Sequence, residues 1–162
     1  NTQIESGVDA IMIFDSWGGI LPYNDYLEFS FSYLKKIVEK VHKMNLNKVI
    51  PNIVFTKGGA VWLDKLNTLG ATAIGIDWTM DIGIARKIAV NSAIQGNLDP
   101  VLLALGDRNT IKTEVSRILN NYKDANNGSI SGHVFNLGHG ILPITNIDNV
   151  SYLVDLVHNF KN

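Results

Sequence analysis

Residues 10–19 read Ala10-Ile11-Met12-Ile13-Phe14-Asp15-Ser16-Trp17-Gly18-Gly19: five apolar residues, then a polar, aromatic and glycine-rich break. An apolar run this short, bounded by turn residues, reads as a buried strand. The period then changes. From about Tyr23 to Met44, the residues Leu27, Phe31, Leu34, Val38 and Val41 recur at steps of three and four, which makes one face of a helix. The same alternation returns four more times. Val49 to Phe55 ends at Thr56-Lys57-Gly58-Gly59 and precedes a short helix carrying Trp62, Leu63, Leu66 and Leu69, with Gly70 as its C-cap. Ala73-Ile74-Gly75-Ile76 ends at Asp77-Trp78-Thr79, before a helix from about Asp81 to Ala89. Ala93-Ile94-Gln95-Gly96-Asn97-Leu98 ends at Asp99-Pro100, before a helix from about Thr110 to Tyr122 and a turn at Asn126-Asn127-Gly128-Ser129. His133-Val134-Phe135-Asn136-Leu137 ends at Gly138-His139-Gly140, before a last helix over about Asp148 to Phe160.

A strand–helix unit of roughly 30 residues has the size of a parallel crossover, and strands apolar on both faces belong to a sheet covered on both sides. The fold class is α/β. Two architectures satisfy it: an open doubly wound sheet, or part of a closed barrel. A dinucleotide-binding sheet requires a glycine fingerprint that opens a helix and an acidic residue ending the second strand. Here Gly18-Gly19 leads into Ile20-Leu21-Pro22, and no acid ends the second run. Polar residues do follow every strand (Asp15 and Ser16, Lys57, Asp77, Asn97 and Asp99, His139), as they do at the active face of a barrel. A whole barrel takes about 250 residues and this chain has 162. It is therefore expected to be the C-terminal five βα units of a (β/α)8 TIM-type barrel, a fragment forming one domain over residues 1–162.

Composition narrows the functional classes. Fourteen basic against 15 acidic residues leave a net charge of −1, no electrostatic footprint for nucleic acid or an anionic membrane. The absence of cysteine excludes disulfides, thiolate nucleophiles, iron–sulfur clusters and zinc sites that need sulfur. No apolar run reaches bilayer length and no leader opens the chain. The expectation is a soluble cytoplasmic protein; a transit peptide upstream of Asn1 would instead address an organelle.

Each candidate for chemistry has a plainer reading beside it. His139 lies between two glycines, which expose an imidazole and let backbone approach a ligand; it could equally be an idle loop histidine. Ser16 can donate to a carboxylate or phosphate or merely cap a helix. Asp77 and Asp99 could form a carboxylate pair or open turns. Lys57 could face an anion or solvent. Trp17, Trp62 and Trp78 are expected to pack, and His42, His133 and His158 to be structural. No two histidines have metal-ligand spacing.

Three segments together resemble one family, uroporphyrinogen decarboxylase: Gly7-Val8-Asp9-Ala10 through Gly19; Gly75-Ile76-Asp77-Trp78-Thr79 with Gln95-Gly96-Asn97-Leu98-Asp99-Pro100; and Gly132 through Ile141. Phe55-Thr56-Lys57-Gly58-Gly59 also fits. The resemblance implies a distorted barrel, a homodimer that needs no cofactor or metal. Its implied reaction converts uroporphyrinogen III to coproporphyrinogen III, losing four acetate carboxyls as carbon dioxide, in porphyrin and haem biosynthesis. Protonation of a pyrrole carbon would make the ring its own electron sink, so no cofactor is required for that role. By position, Ser16 and His139 contact substrate and Phe14 lines the cavity, while Lys57, Asp77, Gln95, Asn97 and Asp99 shape strand ends without touching substrate.

The family's catalytic aspartate, its arginine-bearing loop and a tyrosine belong to the segment before this one. No catalytic residue is expected here, and the fragment alone is expected to be inactive, with open sheet edges prone to aggregation. The competing expectations are a corrinoid-dependent methyltransferase of the same superfamily, against which the missing cysteine counts; a barrel binding phosphate through Leu137-Gly138-His139-Gly140; and a non-catalytic truncated remnant.

Overall fold

The computed structural model describes residues 2–44 and 49–160. Five strands, β1 (Ile11–Asp15), β2 (Asn52–Thr56), β3 (Ala73–Gly75), β4 (Ala93–Leu98) and β5 (His133–Leu137), form one sheet in the order β1-β2-β3-β4-β5. Every neighbouring pair is parallel. Sequential order with parallel pairing throughout is one arc of a (β/α)8 barrel; a doubly wound sheet reverses its order part-way. Among the described residues β1 pairs only with β2 and β5 only with β4, so both sheet edges are open.

The first crossover begins as α2 (Tyr23–Tyr26), passes through a wide π turn at Leu27–Phe31 and continues as α3 (Ser32–His42). The one long helix expected there thus contains a wide turn, and Ser30 within it is buried with its hydroxyl donating to Asp15 at 2.6 Å. The remaining helices are α1 (Thr2–Glu5), α4 (Leu63–Leu66), α5 (Ile82–Ile88), α6 (Pro100–Leu105), α7 (Arg108–Ala125) and α8 (Ile147–His158). The second strand starts three residues later than its apolar pattern suggests, because Pro51 has no N–H for the ladder and Val49 is exposed. Helix α6 lies where the sequence pattern gives no element, only a strand end at Asp99-Pro100 that could open a turn. Asp99 accepts from Val101 N at 2.8 Å and Pro100 takes the first helical position, two residues well suited to starting a helix.

The core lies between the sheet and the outer helices: Val54, Ile74, Ile94 and Leu98 are fully buried against Val38, Leu63, Ile82, Leu103, Ile111 and Ile118. Trp62 joins it, stacked on Tyr26 with ring centroids 4.4 Å apart, and burial pushes the Tyr26 phenol up to about 12. Trp17 and Trp78 do not pack as expected; they are 74% and 40% exposed. Both follow strand ends on the open rim, where no described element covers them.

His133 is structural, as its sequence position suggested. Its Nε2 donates to the Gly96 carbonyl at 2.8 Å, and its ring stacks on Tyr122 at 4.7 Å. Burial holds its pKa below 6.5, outweighing the carbonyl contact, which acts in the opposite direction. The unfolded chain therefore takes up a proton before the folded one does: stability is complete above about pH 6.5 and is lost as pH falls from there through the folded-state value. Melting temperatures taken from about pH 7.5 to about pH 5 are expected to fall less steeply in His133→Gln than in the wild type; equal slopes would remove this role.

Candidate active-site cleft

The opposite face of the sheet is concave. Side chains on neighbouring parallel strands that share a register position face the same way, and one such row runs Phe14, Phe55, Gly75, Gln95 across β1 to β4. This row floors a cleft of about 520 Å³ at the C-terminal ends of the strands. The β1 loop adds Ser16, and the β5 end adds Asn136 through Ile141, including His139. Phe55 sits between the two walls, edge-on to Phe14 at 6.2 Å and to His139 at 6.3 Å. The structure thus brings Phe14, Ser16 and His139, distant in sequence, to one cleft. The lining is mostly apolar, with four polar side chains (Ser16, Gln95, Asn136, His139) and no Asp, Glu, Lys or Arg.

The acidic and basic residues at the strand ends do other work. Asp15 accepts from Gly18 N at 2.8 Å, Ser30 Oγ at 2.6 Å and Thr56 Oγ1 at 3.1 Å, which ties the loop bearing Ser16 to β2 and the π turn. Asp77 is 4% exposed. It accepts from Gly58 N at 2.7 Å and from both the backbone N–H and the hydroxyl of Thr79. Asn97 is also buried and donates to the carbonyls of Asp77 at 2.8 Å and Met80 at 2.6 Å. Asp99 caps α6. Asp77 and Asp99 therefore serve backbone groups of separate loops, and the idea of a carboxylate pair falls. Lys57 is exposed and outside the lining.

The glycines around His139 differ in role. Gly138 is buried, and its N–H donates to the Leu98 carbonyl at 2.8 Å. A Cβ on it would stand 2.5 Å from Trp78 N and 3.0 Å from Asp77 C, whereas one on Gly140 would meet nothing within 4 Å. Gly138 serves close packing of the β5 end on the β3 loop, a task distinct from the ligand approach expected of it.

The lining residues that the sequence reading does not place at the site include Met12, Phe55, Gln95 and Asn136. Strand parity in the sequence places Met12 with Phe14, whereas Phe55 and Gln95 follow only from the strand register of the structure. Among the described residues no group of three or more His, Cys, Asp or Glu is arranged to hold a metal ion, and no helix is long and apolar enough to cross a membrane.

Comparison with known proteins identifies the family. The model described as uroporphyrinogen decarboxylase (URO-D) matches residues 1–160. The chain belongs to the uroporphyrinogen decarboxylase family. Curated relatives bearing that name include proteins from Aromatoleum aromaticum, 49% identical over 159 residues, Azoarcus sp., 47% identical over 160 residues, and Coxiella burnetii, 47% identical over 162 residues. Each alignment covers 98–99% of this chain and 43% of the relative. The chain thus spans less than half the length of the curated decarboxylases it matches. Among solved structures, a methyltransferase from Methanosarcina mazei superposes with a TM-score of 0.78 at 22% identity, covering 96% of this chain and 43% of that one. That likeness is one of fold.

Proposed function

We propose that residues 1–162, as one domain, form a substrate-binding wall of a uroporphyrinogen decarboxylase, and that Phe14, Ser16 and His139 are its substrate contacts. The observation that carries this reading is their convergence on one cleft, together with family membership. Phe14 and Phe55 offer an apolar surface for the flat faces of pyrrole rings, and Phe14 is 68% exposed toward that space. The Ser16 hydroxyl and the His139 imidazole donate to carboxylate arms. The reaction protonates a pyrrole carbon and breaks the C–C bond to an acetate carboxyl, releasing carbon dioxide while the electron pair passes into the ring and leaves an exocyclic methylene; protonation of that methylene and loss of the ring proton then give the methyl group. No carboxylate or guanidinium lines this wall, so the acid and the counter-charges for the substrate come from the family's N-terminal segment, and this segment alone is inactive. The same reading has the complete enzyme working in the cytoplasm as a homodimer without a cofactor.

The test is turnover of uroporphyrinogen III by the gene product that carries this chain, at its natural length, with porphyrins resolved by chromatography. Ser16→Ala and His139→Ala each remove a hydrogen bond to a charged group, worth about 1.5–3 kcal/mol, and are expected to lower kcat/KM about 10- to 100-fold. Wild-type protein that leaves uroporphyrinogen intact, or an active enzyme indifferent to both substitutions, would overturn the reading.

A further inference from the structure

Three of the four positions in the floor row, Phe14, Phe55 and Gly75, are apolar or lack a side chain; the fourth, Gln95, ends in a primary amide. Gly75 leaves it room, since a Cβ there would lie 3.3 Å from Gln95 Oε1 and 3.0 Å from Phe55 Cδ2. Gln95 is half-buried, and among the described residues no protein group hydrogen-bonds its amide. Neither amide atom is buried, so water serves the group in the free cleft, and a ligand that displaces this water must supply a hydrogen-bond partner in its place. The strand-end role expected for this residue is thus confined to Asp77, Asn97 and Asp99, whose side chains bond backbone, while Gln95 faces the cleft.

We infer that Gln95 is a substrate-contact residue whose side-chain N–H donates to a carboxylate arm of the bound tetrapyrrole. Two observations point to an anion. The lining contains no Asp or Glu to repel one, and the other polar side chains on the two walls, Ser16, Asn136 and His139, can each donate a hydrogen bond. Gln95 completes a set of donors reaching from the β1 loop across β4 to the β5 end. The identity of the ligand rests on the decarboxylase reading; the placement of the amide in the cleft does not.

Charge at this position tests the inference, because Gln95→Glu keeps the shape and replaces a donor with an anion. In the gene product carrying this chain, Gln95→Glu is expected to raise KM for uroporphyrinogen III about 30-fold or more. The neutral, non-bonding Gln95→Met is expected to raise it about three- to tenfold, with kcat changing less in both. A Gln95→Glu KM within twofold of the wild type, or below it, overturns the inference, since an amide accepting from a pyrrole N–H would tolerate a carboxylate. Wild-type turnover decides the decarboxylase reading separately. If the wild type does not turn over, the same variants are compared by titration with uroporphyrin, read through quenching of Trp emission. Weaker binding by Gln95→Glu supports the contact and equal binding overturns it. Should Gln95→Glu fail to fold, Gln95→Met decides, and an unchanged KM or Kd sinks the proposal.

Discussion

Gly138→Ala is expected to destabilise the protein by about 3 kcal/mol, the upper part of the range for overpacking, and to lower its melting temperature by roughly 6–12 °C. The side chain it adds is one methyl group, but its surroundings cannot step aside. The new Cβ would stand 2.5 Å from the backbone nitrogen of Trp78 and 3.0 Å from Asp77 Cα, and a flexible side chain could rotate away where backbone cannot. Retreat of Gly138 itself would break its bond to the Leu98 carbonyl. Because His139 is the next residue, any shift that relieves the clash moves the imidazole relative to Phe55, so porphyrin binding is expected to weaken along with stability. Gly140→Ala is the matched control for stability, with open space where its Cβ would lie, and should leave the melting temperature within about 1 °C of the wild type. Thermal unfolding followed by circular dichroism checks both; equal melting temperatures for the two variants would mean that the β5 end does not pack on the β3 loop as described.

Asp77→Ala is expected to cost a similar amount for a different reason. Its buried carboxylate satisfies the N–H of Gly58 and the N–H and hydroxyl of Thr79. Truncation removes a charged acceptor from the half-buried Gly58 N–H and the exposed Thr79, hydrogen bonds to a charged group being worth about 1.5–3 kcal/mol, for a loss of up to about 3 kcal/mol and roughly 3–12 °C. Asp77→Asn keeps one acceptor oxygen and so can serve Gly58 or Thr79, but not both N–H groups. It should fall between wild type and Asp77→Ala. The Gly58 contact joins the β2 loop to the β3 end, so loss of Asp77 should also raise backbone amide exchange at Lys57–Gly59. A melting temperature for Asp77→Ala within about 1 °C of wild type would show that solvent replaces the carboxylate without cost.

The alternation of apolar runs with helical periods was enough to establish α/β class, five units and parallel pairing, and the polar residues after each strand indicated which end of the sheet carries a site. Ser16 and His139 stood out as candidates because they follow strand ends, where a barrel presents its ligand groups, whereas Phe14 entered only through the family resemblance. What misled was local chemistry open to two readings. Asp99-Pro100 opens a turn or a helix with equal propriety. A tryptophan after a strand reads as packing, yet Trp17 and Trp78 stand exposed at the rim.

By itself, then, the sequence determined the repeat, the sheet class and the strand ends that bear the candidate site, because periodicity and turn residues are properties of neighbours along the chain. Only the tertiary structure decided which strand-end groups face the cleft and which bind backbone. Asp77 lies two residues beyond β3, while Gln95 lies inside β4 opposite Gly75. The loop after β3 brings the Asp77 carboxylate to Gly58, 19 residues earlier, and the register of β1 through β4 sets Gln95 in the row with Phe14, which lies 81 positions away by their residue numbers. Register is an interaction between strands far apart in the chain, and no local pattern encodes it.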